Sequence, residues 1–216
     1  MKKYFAELLG TYALVFAGTG AIVIDQQTHG SITHAGVAIT FGLIVMSMIY
    51  TFGDISGAHL NPAVSVAFTI AKKFPVKELA PFIAAQILGA TSASLTLKAL
   101  FPLNEFLGAT LPTGSDMQSF ILEFILTFFL MLTIIQVSSG SKEKGMFAGL
   151  AIGSVVGLEA MFAGPICGAS MNPARSLAPA VVSGHLEHLW IYLVATTLGA
   201  VLAIPVCNVL GAKQHG

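Results

Sequence analysis

Six apolar stretches recur along the chain, at roughly 4–24, 34–53, 79–100, 119–138, 146–163 and 188–210. A helix needs about 20 apolar residues to cross the hydrocarbon core of a bilayer. The pattern therefore confines the chain to an all-α membrane protein with the lipid bilayer as its solvent. Composition agrees: 55% of residues are hydrophobic and 9% are charged, where a soluble domain would carry about a quarter charged residues. The first stretch is too long for a removable signal peptide, and no small-residue cleavage pattern follows it. The expectation is a single membrane domain over residues 1–216.

Formal net charge is zero, with no basic stripe interleaved with aromatics, which argues against nucleic acid as a partner. Charge placement carries more information. Lys2, Lys3, Lys72, Lys73, Lys77, Lys142, Lys144 and Lys213 share one side if the six spans alternate, and Lys98 falls near the other. Cytoplasmic segments carry an excess of Lys and Arg, so both termini of this multi-pass chain are expected in the cytoplasm, at the cell (plasma) membrane. Cys167 and Cys207 lack metal-ligand spacing and read as free thiols, Cys167 within reach of a thiol reagent. His29, His34, His185 and His188 fall at or near the outer face without a convincing metal pattern, so no metal or cofactor is expected. No nucleophile–base pair is evident either, which argues against an enzyme.

A nine-residue phrase is written twice, about half the chain apart. Gly57-Ala58-His59-Leu60-Asn61-Pro62-Ala63-Val64-Ser65 is matched by Gly168-Ala169-Ser170-Met171-Asn172-Pro173-Ala174-Arg175-Ser176. In each copy Asn-Pro-Ala follows a Gly-containing loop and opens a short apolar run. Asn at the N-cap and Pro at the first helical position, where its missing N–H costs nothing, are helix-start signals. Similarity extends further: Ala6–Tyr12 resembles Leu122–Phe128, and Gln86–Ala90 resembles Thr196–Ala200. The chain thus reads as two copies, about 4–100 and 119–210, with three spans each. Three is odd, so the second copy enters the membrane from the opposite face. The runs 62–71 and 173–183 are too short to cross. They are expected as re-entrant half-helices, reached through loops 53–60 and 164–171 that dip inward. Non-helical backbone at membrane depth survives only where protein buries it or water lines it, which predicts a polar passage. Glycines at 145, 149, 153 and 157, with Gly10, Gly18, Gly42, Gly89 and Gly199, suit close helix crossings.

Such a passage has readable chemistry. The Asn61 and Asn172 amides offer N–H donors to the lumen, and the backbone carbonyls of Gly57, Ala58, His59, Leu60, Gly168, Ala169, Ser170 and Met171 offer acceptors. Two helix N-termini at the midplane each carry about half a positive elementary charge. They oppose cations and protons, as does Arg175, the one arginine in the sequence. A carboxyl inside a span is a functional candidate, so Glu7 and Glu123 read either as a proton relay or as braces for the re-entrant loops; their equivalence in the two copies favours bracing. Glu159 either stays near the outer mouth, hydrogen-bonded to loop 164–171, or tunes Arg175. His59 is expected at the lumen. Glu105 and Asp116, in the outer loop 101–118, read as solvated, and the cluster Lys142, Glu143 and Lys144 as solvated or as a gating element.

The two Asn-Pro-Ala boxes, Ala6-Glu7-Leu8-Leu9-Gly10-Thr11, Ser56-Gly57-Ala58-His59 and Asn172-Pro173-Ala174-Arg175-Ser176 together resemble the aquaporin, or major intrinsic protein, family from Ala6 to about Ala203. The resemblance implies a homotetramer in which each protomer has its own pore. It implies a constriction at Phe41, Ala160, Ala169 and Arg175, and loop support from Glu7 and Glu123. Strict water channels usually carry His where this chain has Ala160, so the two alanines imply a wider opening. Glu159, the run Ala163–Met171 and Trp190-Ile191-Tyr192-Leu193 are similar to plant nodulin-type intrinsic proteins and their bacterial relatives, which conduct glycerol and metalloid hydroxides. Ser176, however, stands where glycerol facilitators carry Asp. The expected function is a passive channel for water and small neutral solutes such as glycerol, excluding ions and protons. A strict water channel is one alternative. An alternating-access transporter also uses inverted repeats and broken helices, but the motif here offers neutral amides rather than a charged midplane site.

Overall fold

The computed structural model describes residues 1–139, 141 and 145–211. The cluster Lys142, Glu143 and Lys144, and Lys213, lie outside the described residues. Among the described residues the fold is all helical, with eight α-helices and no strand. Six are long and apolar enough to cross a membrane: α1 (Lys2–Gln27), α2 (Thr33–Ser56), α4 (Val76–Leu100), α5 (Asp116–Ser138), α6 (Ala148–Cys167) and α8 (Leu189–Val209). The other two, α3 (Pro62–Ile70) and α7 (Pro173–Ser183), have 9 and 11 residues.

Both short helices start as their sequences require. Asn61 and Asn172 have extended backbones, and each side-chain oxygen accepts from the backbone N–H two residues on, Ala63 at 2.9 Å and Ala174 at 3.0 Å. Pro62 and Pro173 follow at the first helical position. Before them, α2 and α6 run further than expected. Helix persists through Gly53 and through Gly164–Cys167, so the loops are shorter than 53–60 and 164–171. A helix stops where a residue turns left-handed, and that happens at Gly57 (φ 87°) and Gly168 (φ 84°). Pro165 sits in the last turn of α6 without a donor for the carbonyl of Met161. His34 Nε2 donates to that carbonyl instead, at 2.8 Å.

The long helices pack as α1 on α4 and α2, α5 on α8 and α6, and α2 on α6. The short helices cross between the halves: α3 touches α4 and α8, and so does α7. Two crossings repeat almost atom for atom. A Cβ on Gly89 would lie 2.2 Å from the Leu8 carbonyl oxygen, and one on Gly199 would lie 2.2 Å from that of Phe124. At both places backbone rests on backbone, the contact that small residues permit where lipid supplies no hydrophobic drive between helices. Elsewhere Asp25 Oδ1 accepts from Ile32 N and Thr33 N at 2.9 and 2.8 Å, tying the end of α1 to the start of α2.

Candidate functional site

The starts of α3 and α7 meet, and the meeting is made by the two asparagines. Asn61 Nδ2 donates to the Met171 carbonyl at 2.7 Å, and Asn172 Nδ2 donates to the Leu60 carbonyl at 2.8 Å. Each helix is therefore capped by its own Asn and stapled to the other's loop. This refines the expected donor and acceptor ladder. An asparagine amide has two N–H bonds, one of which is spent across the junction, leaving one for the cavity that both residues line. The carbonyls of Leu60 and Met171 are likewise engaged.

The preceding loops are wound the same way twice. Ala58, Leu60, Ala169 and Met171 all have positive φ, between 42° and 53°. Non-glycine residues adopt this region at a cost of about 1–2 kcal/mol each, so something must hold them there. Glu7 and Glu123, both fully buried, do so. Glu7 accepts from His59 N at 2.9 Å and Leu60 N at 2.7 Å, and from Ser56 Oγ and Gln86 Nε2. Glu123 accepts from Ser170 N at 2.8 Å and Met171 N at 2.9 Å. One carboxylate spans the two backbone donors that precede each Asn.

Two cavities approach from opposite ends. The larger, about 920 Å³, is lined by Gly57, Ala58, His59, Leu60, Asn61, Ala169, Ser170, Met171 and Asn172 and reaches Phe41 and Arg175. The smaller, about 300 Å³, is lined by Asp25, His34, Ala160, Gly168 and again Phe41 and Arg175. Pro62, Ala63, Pro173 and Ala174 line neither and are buried in the helix starts. Of the four expected constriction residues, Phe41 and Arg175 border both cavities, while Ala160 lies on one side and Ala169 on the other. The Arg175 guanidinium carbon sits 5.0 Å from the Phe41 ring centroid, in cation–π range.

Arg175 is held by the loop 101–118, within which only Glu105 and Asp116 are expected to be solvated. Its Nη1 donates to the Gly108 carbonyl at 2.8 Å. In the loop between α4 and α5, Leu107, Gly108 and Thr110 are buried. Thr110 donates to Ser176 Oγ at 2.7 Å, and Thr113 bonds Ile166 and Pro165 at the end of α6. Ser176, at the position of interest for glycerol, is fully buried behind the loop and also bonds Ser170. The trace in the sequence is the run Leu107-Gly108-Ala109-Thr110, small and uncharged, in the middle of the connection 101–115.

Two other expectations change, at Cys167 and Glu159. Cys167 is wholly buried, its thiol donating to the Ala163 carbonyl at 3.5 Å, so a reagent has no access. His59 borders the larger cavity, its ring lies among Phe68, Phe74 and Phe82, and Nδ1 is 3.0 Å from Ser65 Oγ. Glu159 is buried and lines neither cavity, and among the described residues its Oε2 has no hydrogen-bond partner and no hydrogen bond joins its carboxyl group to loop 164–171. Asp116 opens α5 with its side chain 44% exposed, and its Oδ1 lies 2.9 Å from His188 Nδ1. Glu105 is exposed.

The family model described as Major intrinsic protein matches residues 1–206. The chain is 48% identical over 211 residues to Aquaporin NIP1-1 of Oryza sativa subsp. japonica, covering 97% of this chain and 74% of that protein. It is 45% identical over 212 residues to Nodulin-26 of Glycine max, covering 97% and 78%. The X-ray structure of the aquaglyceroporin from Plasmodium falciparum aligns with a TM-score of 0.83 at 28% identity, over 98% of this chain and 99% of that one. Six apolar helices, two capped half-length helices joined at their starts and these matches lead to one conclusion: the chain belongs to the major intrinsic protein family of multi-pass, non-enzymatic membrane channels.

Proposed function

We propose that the chain conducts water and small uncharged solutes, glycerol among them, in single file between its two cavities while excluding ions and protons. The observation that carries this reading is the sharing of Phe41 and Arg175 by both cavities, with Ala160 rather than a bulky side chain beside them. A solute passing there exchanges water for a short series of donors and acceptors: Arg175, the free N–H of each asparagine amide and the loop carbonyls. A cation meets Arg175 and then two helix starts whose positive dipole ends both face the junction. An anion would shed its hydration beside Phe41, Ala160 and Ala169, which replace none of it.

In this proposal Glu7 and Glu123 brace the loops, and two inverted halves build one pore per protomer of a homotetramer in the cell membrane. Lysine placement supports cytoplasmic termini. Lys3 pairs with Glu78 at 2.9 Å, binding the chain start to the start of α4, and Lys72 and Lys73 stand on the same short connection.

Stopped-flow light scattering on vesicles containing the purified protein tests the function. Fast osmotic shrinkage, followed by re-swelling in glycerol that rises linearly with concentration, is the expected result, with no change in proton or sodium leak. Saturation of the glycerol rate, or its dependence on an ion gradient, would mark a carrier instead.

A further inference from the structure

Phe41 directly, and Arg175 through Gly108, rest on two consecutive residues of α1 that line neither cavity. An ideal Cβ on Gly18 would lie 2.1 Å from Phe41 Cε1, 2.5 Å from Cζ and 2.6 Å from Cδ1. The edge of the ring thus occupies the space any side chain at 18 would need. The next residue, Thr19, is fully buried, with its hydroxyl fixed to the Val15 carbonyl at 2.6 Å. Gly108 rests on it: a Cβ there would lie 2.7 Å from Thr19 Cβ and 3.1 Å from its Cα. Gly108 has φ of +72° and presents the carbonyl that Arg175 Nη1 grips. One flank of the opening is therefore seated on Gly18 and the other, through Gly108, on Thr19.

We propose that Gly18-Thr19 is a platform that sets the distance between Phe41 and Arg175, and with it the size limit for uncharged solutes, without touching any solute. The proposal rests on the constriction reading above. Its physics is simple. A methyl group at 18 must drive the Phe41 ring away from α1. Arg175 already lies over that ring, tethered to Gly108, so the space left for the ring to enter is the lumen that it borders.

The test uses the full-length protein in vesicles and reads the ratio of glycerol to water permeability. In Gly18→Ala the ratio falls about fivefold or more, the change expected from forcing one side chain off its rotamer into the path. Gly20→Ala is the control, because its Cβ would meet only Leu97 Cδ2 at 3.4 Å, an ordinary contact; its ratio matches the parent. Phe41→Ala raises the ratio, and adding Gly18→Ala to it changes nothing further, since no ring remains to be displaced. A parental ratio in Gly18→Ala, or the same fall in the Phe41→Ala background, overturns the platform while leaving the constriction standing. An unchanged ratio in Phe41→Ala overturns the constriction, and the platform with it. If Gly18→Ala alone yields no folded channel, recovery in the double variant supports the contact, and failure to recover overturns it.

Discussion

Glu7 accepts hydrogen bonds from four groups and Glu123 from two backbone N–H groups, so replacing either carboxylate with an amide turns an NH2 group toward donors. Each buried N–H left unsatisfied costs about 1–3 kcal/mol. Glu7→Gln and Glu123→Gln should therefore lower the thermal midpoint of the detergent-solubilised protein, Glu7→Gln by more. A proton relay would give the reverse pattern, a changed proton flux with an unaltered midpoint. Asn61→Asp keeps the oxygen that caps α3 but loses the donor to Met171, setting a carboxylate oxygen against a carbonyl oxygen. Water permeability per folded protein should fall well below the parent, as stopped-flow shrinkage would read; parental permeability would contradict the junction's role. The caps and the paired glutamates are legible in the sequence because the repeat writes them twice. The grip of Gly108 on Arg175 is not legible in the same way. It joins residues far apart in the chain, through a loop with no periodicity, and its one trace is the small and uncharged run 107–110.

Helices place these residues, and their existence is the most readable part of the chain because runs of about 20 apolar residues leave few other options in lipid. Their ends are less readable. Two glycines compete to stop α2, at 53 and 57, and two to stop α6, at 164 and 168. The one that turns left-handed wins in each case, and composition does not distinguish them. Gly164 has a different reason to be small: its Cβ would meet His34 Cε1 at 2.9 Å. Crossings such as Gly89 on Leu8 and Gly199 on Phe124 put backbone, which cannot yield, in the way of any side chain. Gly89→Ala should therefore separate α1 from α4 and cost about 1–3 kcal/mol, the usual penalty of overpacking. Gly53→Ala, with nothing within 4 Å of its Cβ, should keep or raise the midpoint, because alanine is the better helix former. Equal melting of both variants would mean that the crossing is looser than these distances require.

Across the molecule, two cavities of about 920 and 300 Å³ both border Phe41 and Arg175, and in the proposed function that division is where solutes are selected. The sequence names residues at that division but not its width, which depends on where a ring from α2 and a guanidinium from α7 come to rest against α1 and the loop 107–110. Ala160 is the position through which width can be altered with least disturbance to those supports. It lines the smaller cavity beside Phe41 and Arg175, and its methyl group bonds to nothing. Ala160→His adds an imidazole there, taking up volume while supplying a hydrogen-bonding group that a water molecule can use. Glycerol presents a carbon backbone as well as hydroxyls and needs the volume more than the extra partner. Its permeability should fall about tenfold, equivalent to about 1.4 kcal/mol on the barrier, while that of water stays within about threefold of the parent. Stopped-flow shrinkage and glycerol re-swelling on the same vesicles give both numbers. A matched loss of the two would mean that the opening is limited elsewhere, at the asparagine junction, and that the alanine at 160 does not set what the channel admits.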